Sequence, residues 1–167
     1  DMIMKTEVPI AEDETGETLH DKLAAAGAEL CVETLKALED GTALHEKQGE
    51  SPTAYAKMLT KELGNIDWAQ PAVRIERLIR GLNSWPGTYS HWNGKVMKIW
   101  KAKAEENSGG NNQPGTVLSI GKNDFTVQTG DGILRVLEVQ MPGKKRMETG
   151  AFLRGNTMEL GELLTQV

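Results

Sequence analysis

Three histidines and one cysteine are the side chains of this sequence best suited to acid–base, nucleophilic or metal chemistry. They lie far apart, and none has a second histidine or cysteine at the spacing of a metal site; they are His20, His45, His91 and Cys31. No glycine-rich loop joins a predicted strand to a predicted helix, as a phosphate-binding loop requires. We therefore predict no catalytic residue and no metal site in this chain.

The single cysteine, Cys31, excludes an internal disulfide and lies among apolar residues that repeat at helical spacing. We interpret it as a buried thiol of a protein in a reducing cytoplasm. No apolar run reaches the roughly 18 residues that a membrane-spanning helix needs, and residues 2–10 lack the pattern of a secretory signal. The sequence predicts a cytoplasmic protein that binds no membrane.

Positive charge is concentrated in the middle of the chain, although the formal net charge is −5. Residues 57–104 contain nine basic and three acidic residues, whereas residues 1–56 contain four basic and thirteen acidic ones. A local positive field attracts phosphate whatever the sign of the net charge. Two interpretations remain open: a surface that binds nucleic acid, or basic residues scattered over a solvated surface.

The first 41 residues predict one strand and one long helix. Residues 2–10 are apolar with interleaved charges, which indicates a strand, and a strand needs a partner that this sequence does not supply. Thr18 and Asp21 resemble a capping box at the helix start, and Gly41 suits the left-handed position after its end. We interpret residues 1–41 as the end of an α/β domain and residues 42–56 as a linker.

Residues 57–167 predict one helix and five strands. Pro71 suits the first turn of a helix with a buried apolar stripe, formed by Ile75, Leu78, Ile79 and Leu82. Asn93-Gly94 favours a type I′ turn that joins strands 88–92 and 95–103. Three further strands are predicted at 115–120, 124–129 and 133–140, and Thr149 is expected to cap a last helical turn that ends at Gly155. The fold class is therefore α+β, with a five-stranded barrel of the oligonucleotide-binding (OB) kind and one packed helix.

The four tryptophans and the lysines of the hairpin differ in their predicted surroundings. We expect Trp68, Trp85 and Trp100 in the core, and Trp92, beside the turn, as the exposed exception. Strict alternation along the strand places Lys98 with Trp100 on one face and Lys101 with Ile99 on the opposite one. The hairpin lysines are therefore expected to point in different directions.

Three strings of residues carry a resemblance to a known family: NIDWAQPAVRIERLIRGLNSWPGTYS, GKVMKIWKA and PGTVLSIGKNDFTVQTGDGILRVLEVQMPGKKRMETGAFLRG. Together they resemble the C-terminal part of the methionyl-tRNA formyltransferases. The opening string DMIMKTEVPIAEDETGETLHDKLAAAGAELCVETLKALEDGTA resembles the last strand and helix of that family's catalytic domain. The resemblance therefore spans the whole chain.

The resemblance implies a two-domain enzyme, with an N-terminal Rossmann-like domain and a C-terminal barrel. Such an enzyme transfers the formyl group of 10-formyltetrahydrofolate to the methionyl amino group of initiator tRNA. Its catalytic Asn, His and Asp belong to the N-terminal domain, and the Asp falls just before Asp1 and Met2 of this sequence. The resemblance thus implies that this chain alone is inactive and binds no cofactor. Its implied partners are initiator methionyl-tRNA and the missing N-terminal domain, in a monomer.

In the family, the barrel and the linker contribute mainly sequence-independent contacts to tRNA, which the resemblance carries over to basic residues here. The expected RNA-binding residues are Lys57, Lys61, Arg80, Lys95, Lys98, Lys101, Lys144, Lys145 and Arg146.

Two alternatives remain. The chain could belong to another formyltetrahydrofolate-dependent formyltransferase or hydrolase with a similar C-terminal domain. It could also be a free-standing oligonucleotide-binding module. The run Lys144-Lys145-Arg146 matches the tRNA enzyme better than the first, and the unpartnered strand at 2–10 argues against the second.

Overall fold

The chain divides into two units, Asp1–Met58 and Leu59–Val167. The computed structural model describes residues 1–51, 53–106 and 112–166. None of the described helices is long and apolar enough to cross a membrane.

Helix α1, Gly16–Glu39, dominates the first unit. Its capping box lies three residues before the predicted one. The Thr15 hydroxyl accepts from the backbone N–H of Thr18 at 3.2 Å, and the Thr15 N–H donates to the Thr18 hydroxyl at 3.0 Å. The pairing of Thr18 with Asp21 was therefore wrong. Gly41 has the predicted left-handed conformation, with φ of +67°.

The strand predicted at residues 2–10 does not form. Only Met2 pairs, in an isolated antiparallel bridge whose two N–H···O distances to Glu46 are 2.7 and 2.8 Å. An ion pair of 3.0 Å between Lys5 and Glu46 adds to it. A strand needs a partner of similar length for its ladder of hydrogen bonds, and the described residues of this unit offer one bridging residue.

The apolar side of α1 is uncovered within its own unit. No residue of the helix is buried, and Leu23, Leu35 and Leu38 are 52%, 61% and 46% exposed. Cys31 is exposed as well, which corrects the prediction of a buried thiol. Helical spacing identified the apolar face, but it does not tell whether another element covers that face.

The second unit contains a six-stranded antiparallel sheet in the order β1-β2-β5-β4-β3, with β6 paired to β5. Its strands are β1 Thr88–Trp92, β2 Lys95–Glu105, β3 Val117–Ile120, β4 Phe125–Gln128, β5 Ile133–Gln140 and β6 Met147–Glu148. The prediction of five strands missed β6. That strand has two residues, which is too short to show an alternating pattern.

Two helices cover the sheet, whereas one packed helix and a last helical turn ending at Gly155 were predicted. Helix α2, Ala72–Gly81, packs against β2 and buries Ile75 and Ile79 to 2% exposure, as the apolar stripe predicted. Helix α3, Thr149–Gly155, packs against β5 and places Phe152 in the core at 0% exposure. A short 3-10 helix, Glu62–Gly64, precedes α2.

The segment 161–165 forms hydrogen bonds with both edge strands of the sheet. The Leu164 N–H donates to the Gly115 carbonyl, just before β3, at 2.9 Å. Thr165 and His91 of β1 exchange two backbone hydrogen bonds of 2.9 and 3.0 Å. These bonds provide partners for backbone N–H and C=O groups at the edge of β1 and just before β3, which would otherwise have none in the sheet.

The pairing of β2 with β5 is irregular at Lys101, and this changes which side chains of β2 face the core. Register shifts lie between Ile99 and Lys101 and between Lys101 and Ala102. Before the shift Ile99 is buried, and after it Ala102 packs on the core. Lys101 is exposed, so the prediction that it shares a face with Ile99 was wrong. A β-bulge breaks the strict alternation on which that prediction relied.

Two tryptophans occupy positions opposite to those expected. Trp92 is 6% exposed, donates from Nε1 to Glu162 at 2.6 Å, and packs edge-on against Phe152 at 5.3 Å between ring centroids. Trp85, in contrast, is 59% exposed. Trp68 is buried as predicted, with Nε1 donating to the Ser90 hydroxyl at 2.9 Å.

Candidate nucleic-acid interface

Trp100 lies at the centre of a group of polar and basic side chains on β2, β5 and the turn before β6, here called the Trp100 cluster. The Nζ atom of Lys98 and the Cζ atom of Arg146 each lie 5.3 Å from the centroid of the Trp100 ring. Both distances are within the range of cation–π attraction. Trp100 is half-buried on the outer side of β2, and not a core residue as predicted.

Gln140 connects this ring to the β5–β6 turn. Its Oε1 accepts from Trp100 Nε1 at 3.0 Å, and its Nε2 donates to the Lys144 carbonyl at 2.8 Å. The turn that carries Lys144 and Lys145 is therefore held beside the Trp100 ring, with both lysines exposed. The cluster thus brings together Lys98, Lys144, Lys145 and Arg146, four of the nine expected RNA-binding residues.

Two of the nine expected residues are paired with carboxylates. Arg80 donates from Nε to Glu76 at 2.6 Å within α2, and Arg146 forms an ion pair with Glu138. A guanidinium with a carboxylate partner must exchange that partner for a phosphate, which lowers its net contribution to binding. In the described part of the chain, no carboxylate lies within 4.0 Å of the ammonium group of Lys95, Lys98, Lys101, Lys144 or Lys145.

The remaining four expected residues do not belong to the Trp100 cluster. Lys101 is exposed on the same strand, where it stands opposite Glu138, and Lys95 is exposed at the end of the hairpin turn. Lys61 is exposed just before the short 3-10 helix. Lys57 belongs to the first unit, Asp1–Met58.

A groove of about 550 Å³ on the second unit was not predicted. We call it the aromatic groove. It is lined by Lys61, Trp85, Pro86, Tyr89, His91, Val96 and Lys98. Part of its lining could have been predicted from the sequence. If Trp92 is assigned to the core, alternation along β1 places Tyr89 and His91 on the outer face.

Arg135 is held within the sheet. It donates to Glu105 at 2.7 and 2.9 Å and to Asp124 at 2.6 Å. The hydrogen bonds from Arg135 hold the pKa of Glu105 below its ordinary value, and Glu105 with Asp124 raises the pKa of Arg135. This guanidinium therefore joins β5 to β2 and to the residue that precedes β4, and it is not a candidate for phosphate binding.

Of the three histidines, His20 has its Nδ1 atom 3.4 Å from Oδ1 of the adjacent Asp21, and both side chains are largely exposed on α1. Over residues 1–51, 53–106 and 112–166, no group of three or more His, Cys, Asp or Glu side chains is arranged to hold a metal ion. The Trp100 cluster and the aromatic groove present cations and aromatic rings, which suit binding to anionic and planar groups.

A model of the formyl transferase C-terminal domain matches residues 58–157 of the chain. The chain belongs to this family. The matched range contains α2, all six strands and α3, so this formyl transferase C-terminal domain includes both the Trp100 cluster and the aromatic groove.

The resemblance to methionyl-tRNA formyltransferases is confirmed by curated relatives. The methionyl-tRNA formyltransferase of Agathobacter rectalis is 55% identical over 99% of this chain and 53% of its own length. That of Caldanaerobacter subterraneus subsp. tengcongensis is 46% identical over 98% of this chain and 52% of its own length. The chain thus spans about half the length of the relatives that it matches.

Solved structures show the same fold at lower identity. HypX from Aquifex aeolicus in complex with tetrahydrofolic acid matches 83% of this chain and 26% of its own, with a TM-score of 0.52 and 22% identity. A variant of the same protein matches 96% of this chain and 31% of its own, with a TM-score of 0.60 and 20% identity.

Proposed function

We propose that this chain is the tRNA-binding C-terminal half of a methionyl-tRNA formyltransferase. The observation that carries the proposal is 55% identity to such an enzyme over 99% of the chain. The whole protein transfers the formyl group of 10-formyltetrahydrofolate to the methionyl amino group of initiator tRNA. It acts in the cytoplasm as a monomer, and its catalytic residues and folate site belong to the other half.

The proposed domain organisation follows the family. Residues 1–41 are the end of the Rossmann-like catalytic domain, residues 42–56 are the linker, and residues 57–167 form an OB-like barrel. The uncovered leucines of α1 support the first assignment, because such a face is expected to pack on the rest of a domain. The hydrogen bonds of segment 161–165 to both edge strands support the barrel, because they connect the sheet's two ends.

The proposed role of the barrel is to hold the tRNA backbone. Lys98, Lys101, Lys144 and Lys145 present ammonium groups on the second unit without a carboxylate partner among the described residues. Contacts of this kind neutralise phosphate and orient the RNA without reading its sequence. Lys57, Lys61, Arg80, Lys95 and Arg146 complete the proposed set.

The salt dependence of tRNA binding tests this role. Initiator tRNA should bind the chain with an affinity that falls as salt rises, by about 0.9 in log K per tenfold salt for each phosphate neutralised on a duplex. The double variant Lys144→Ala, Lys145→Ala should lower that slope by about 1.8. The matched control Lys36→Ala, Lys122→Ala removes the same charge at two exposed lysines outside the proposed set and should leave the slope unchanged. A flat salt response of the unaltered chain would exclude the proposed contact with the tRNA backbone.

A formylation assay tests the enzymatic assignment. The full-length protein should formylate methionyl initiator tRNA with 10-formyltetrahydrofolate, and the 167-residue chain alone should not. In the full-length protein, the double variant should raise KM for tRNA and leave kcat unchanged, because it removes contacts made equally in the ground and transition states. Formylation of a nucleotide-linked amino sugar in place of tRNA would favour the alternative enzyme class.

A further inference from the structure

We propose that the aromatic groove binds one unpaired nucleotide of RNA, with its base stacked on Trp85. This inference rests on the proposed RNA-binding function and adds a second kind of contact to it. The Trp100 cluster contacts backbone phosphates, whereas the groove holds a base that has left the helical stack. The function assigned by the family requires phosphate contacts and does not by itself require such a groove.

The size and position of the groove suit a nucleotide. Its volume of about 550 Å³ is within the roughly 300–1,000 Å³ typical of small-molecule sites. Lys98 lines the groove and also lies over the Trp100 ring, so the groove adjoins the Trp100 cluster. An RNA strand whose phosphates contact the cluster can therefore place a neighbouring base in the groove.

The aromatic rings of the groove are presented to solvent by the fold. Trp85 is 59% exposed, so its indole contributes little to the core. Tyr89 and His91 lie on the outer face of β1, because Thr88, Ser90 and Trp92 alternate with them and are buried. Their rings pack edge to face, with 6.1 Å between centroids and 81° between planes. A planar base thus meets aromatic side chains that the backbone already positions.

The charges of the groove favour an anion. Lys61 and Lys98 line it, and the described lining contains no Asp or Glu. Two ammonium groups beside an exposed indole match the two parts of a nucleotide, a planar ring and a phosphate. The backbone of His91 is bound to Thr165, but its Nδ1 has no hydrogen-bond partner in the described part of the chain. This nitrogen is itself buried, so it offers no hydrogen bond to a ligand in the groove.

The experiment follows the indole N–H signal of Trp85 by NMR in the 167-residue chain. The probes are an unstructured hexaribonucleotide, an RNA duplex of the same length, and folic acid. The hexaribonucleotide should shift the Trp85 signal, and the duplex should not, because its bases remain stacked. Trp85→Ala should weaken binding of the hexaribonucleotide roughly 5- to 150-fold, the range measured for loss of one stacked base. Trp85→Phe should restore most of it.

The control variant is Val73→Ala, which truncates a side chain that is 50% exposed on α2 and does not line the groove. It should bind like the unaltered chain. Lys61→Ala and Lys98→Ala should each lower the salt slope of hexaribonucleotide binding by about 0.7, the value for single strands. Thermal unfolding of each variant identifies any loss of the fold, and Trp85 is exposed enough for its truncation to be tolerated.

The outcomes separate this inference from the proposed function. Equal binding of the hexaribonucleotide by the unaltered chain and by Trp85→Ala would overturn the groove as a base site, and so would a Trp85 shift with folic acid alone. Salt-dependent tRNA binding that depends on Lys144 and Lys145 would in either case leave the proposed function intact. A Trp85-dependent response to the hexaribonucleotide without any binding of tRNA would support the groove and overturn the proposed function.

Discussion

Trp100 of β2 donates a hydrogen bond from Nε1 to Oε1 of Gln140 on β5, at 3.0 Å. The same Gln140 amide donates to the Lys144 carbonyl at 2.8 Å, so one side chain joins the middle of β2 to the turn that carries two exposed lysines. The position of these lysines relative to Lys98 therefore depends on an uncharged contact between a tryptophan and a glutamine.

Replacing Trp100 with Phe should test this contact. Phenylalanine keeps a ring under Lys98 and Arg146 but has no donor for Gln140. We expect the free energy of unfolding in urea to fall by about 1 kcal/mol, the usual net value of a hydrogen bond. Trp85→Phe, at a tryptophan that makes no such bond among the described residues, should change it by less than about 0.5 kcal/mol. Equal effects of the two substitutions would contradict the role given to Nε1.

Local patterns predicted the parts of the fold that local chemistry determines. The buried stripe of α2 follows from the spacing of Ile75 and Ile79, and both are buried. The hairpin turn follows from Asn93-Gly94, whose φ angles of +48° and +71° are those that a type I′ turn requires. A single window of sequence therefore sufficed to identify the turn and the apolar face of α2, although the burial of that face also requires β2, which packs on it.

Features that depend on distant partners could not be predicted in this way. Segment 161–165 has no strand pattern, and its order comes from bonds to Gly115 and His91. The burial of Trp92 depends on its contact with Phe152 of α3, which lies 60 residues further along the chain. Of the site, the basic residues were identifiable by charge, whereas their grouping around Trp100 needed the register of β2 on β5.

The register shift of β2 can be tested at two adjacent residues. Lys101 is exposed and Ala102 packs on the core, although strict alternation from Ile99 assigns them the reverse. We expect Lys101→Ala to change the free energy of unfolding by less than about 0.5 kcal/mol. Ala102→Lys should destabilise the domain by several times more, because an ammonium group would be forced toward the core. A larger loss from Lys101→Ala than from Ala102→Lys would show that β2 continues without the shift.

The C-terminal segment offers a second adjacent pair. Leu164 is 2% exposed in the core, whereas Leu163 is 40% exposed. Leu164→Ala should lower the free energy of unfolding by about 2–5 kcal/mol, the range for removing a buried leucine. Leu163→Ala is the matched control and should cost less than about 1 kcal/mol. Equal, small losses would mean that the segment does not contribute to the core that the structure assigns to it.

The start of α1 provides a test by pH. Glu14, whose carboxylate is 4% exposed, accepts hydrogen bonds from the Lys22 ammonium and the Thr18 hydroxyl, which lower its pKa from 4.5 to about 2. A carboxylate whose pKa is lowered by folding stabilises the folded state fully above the unfolded value, and this contribution is lost as pH falls through the folded one. We therefore expect the stability of this helix start to decline between about pH 4.5 and 2. Lys22→Met should raise the pKa of Glu14, measured by NMR titration of its carboxyl carbon. Lys36→Met, in the last turn of the same helix, should not, and an unchanged pKa in Lys22→Met would show that the ammonium group does not determine it.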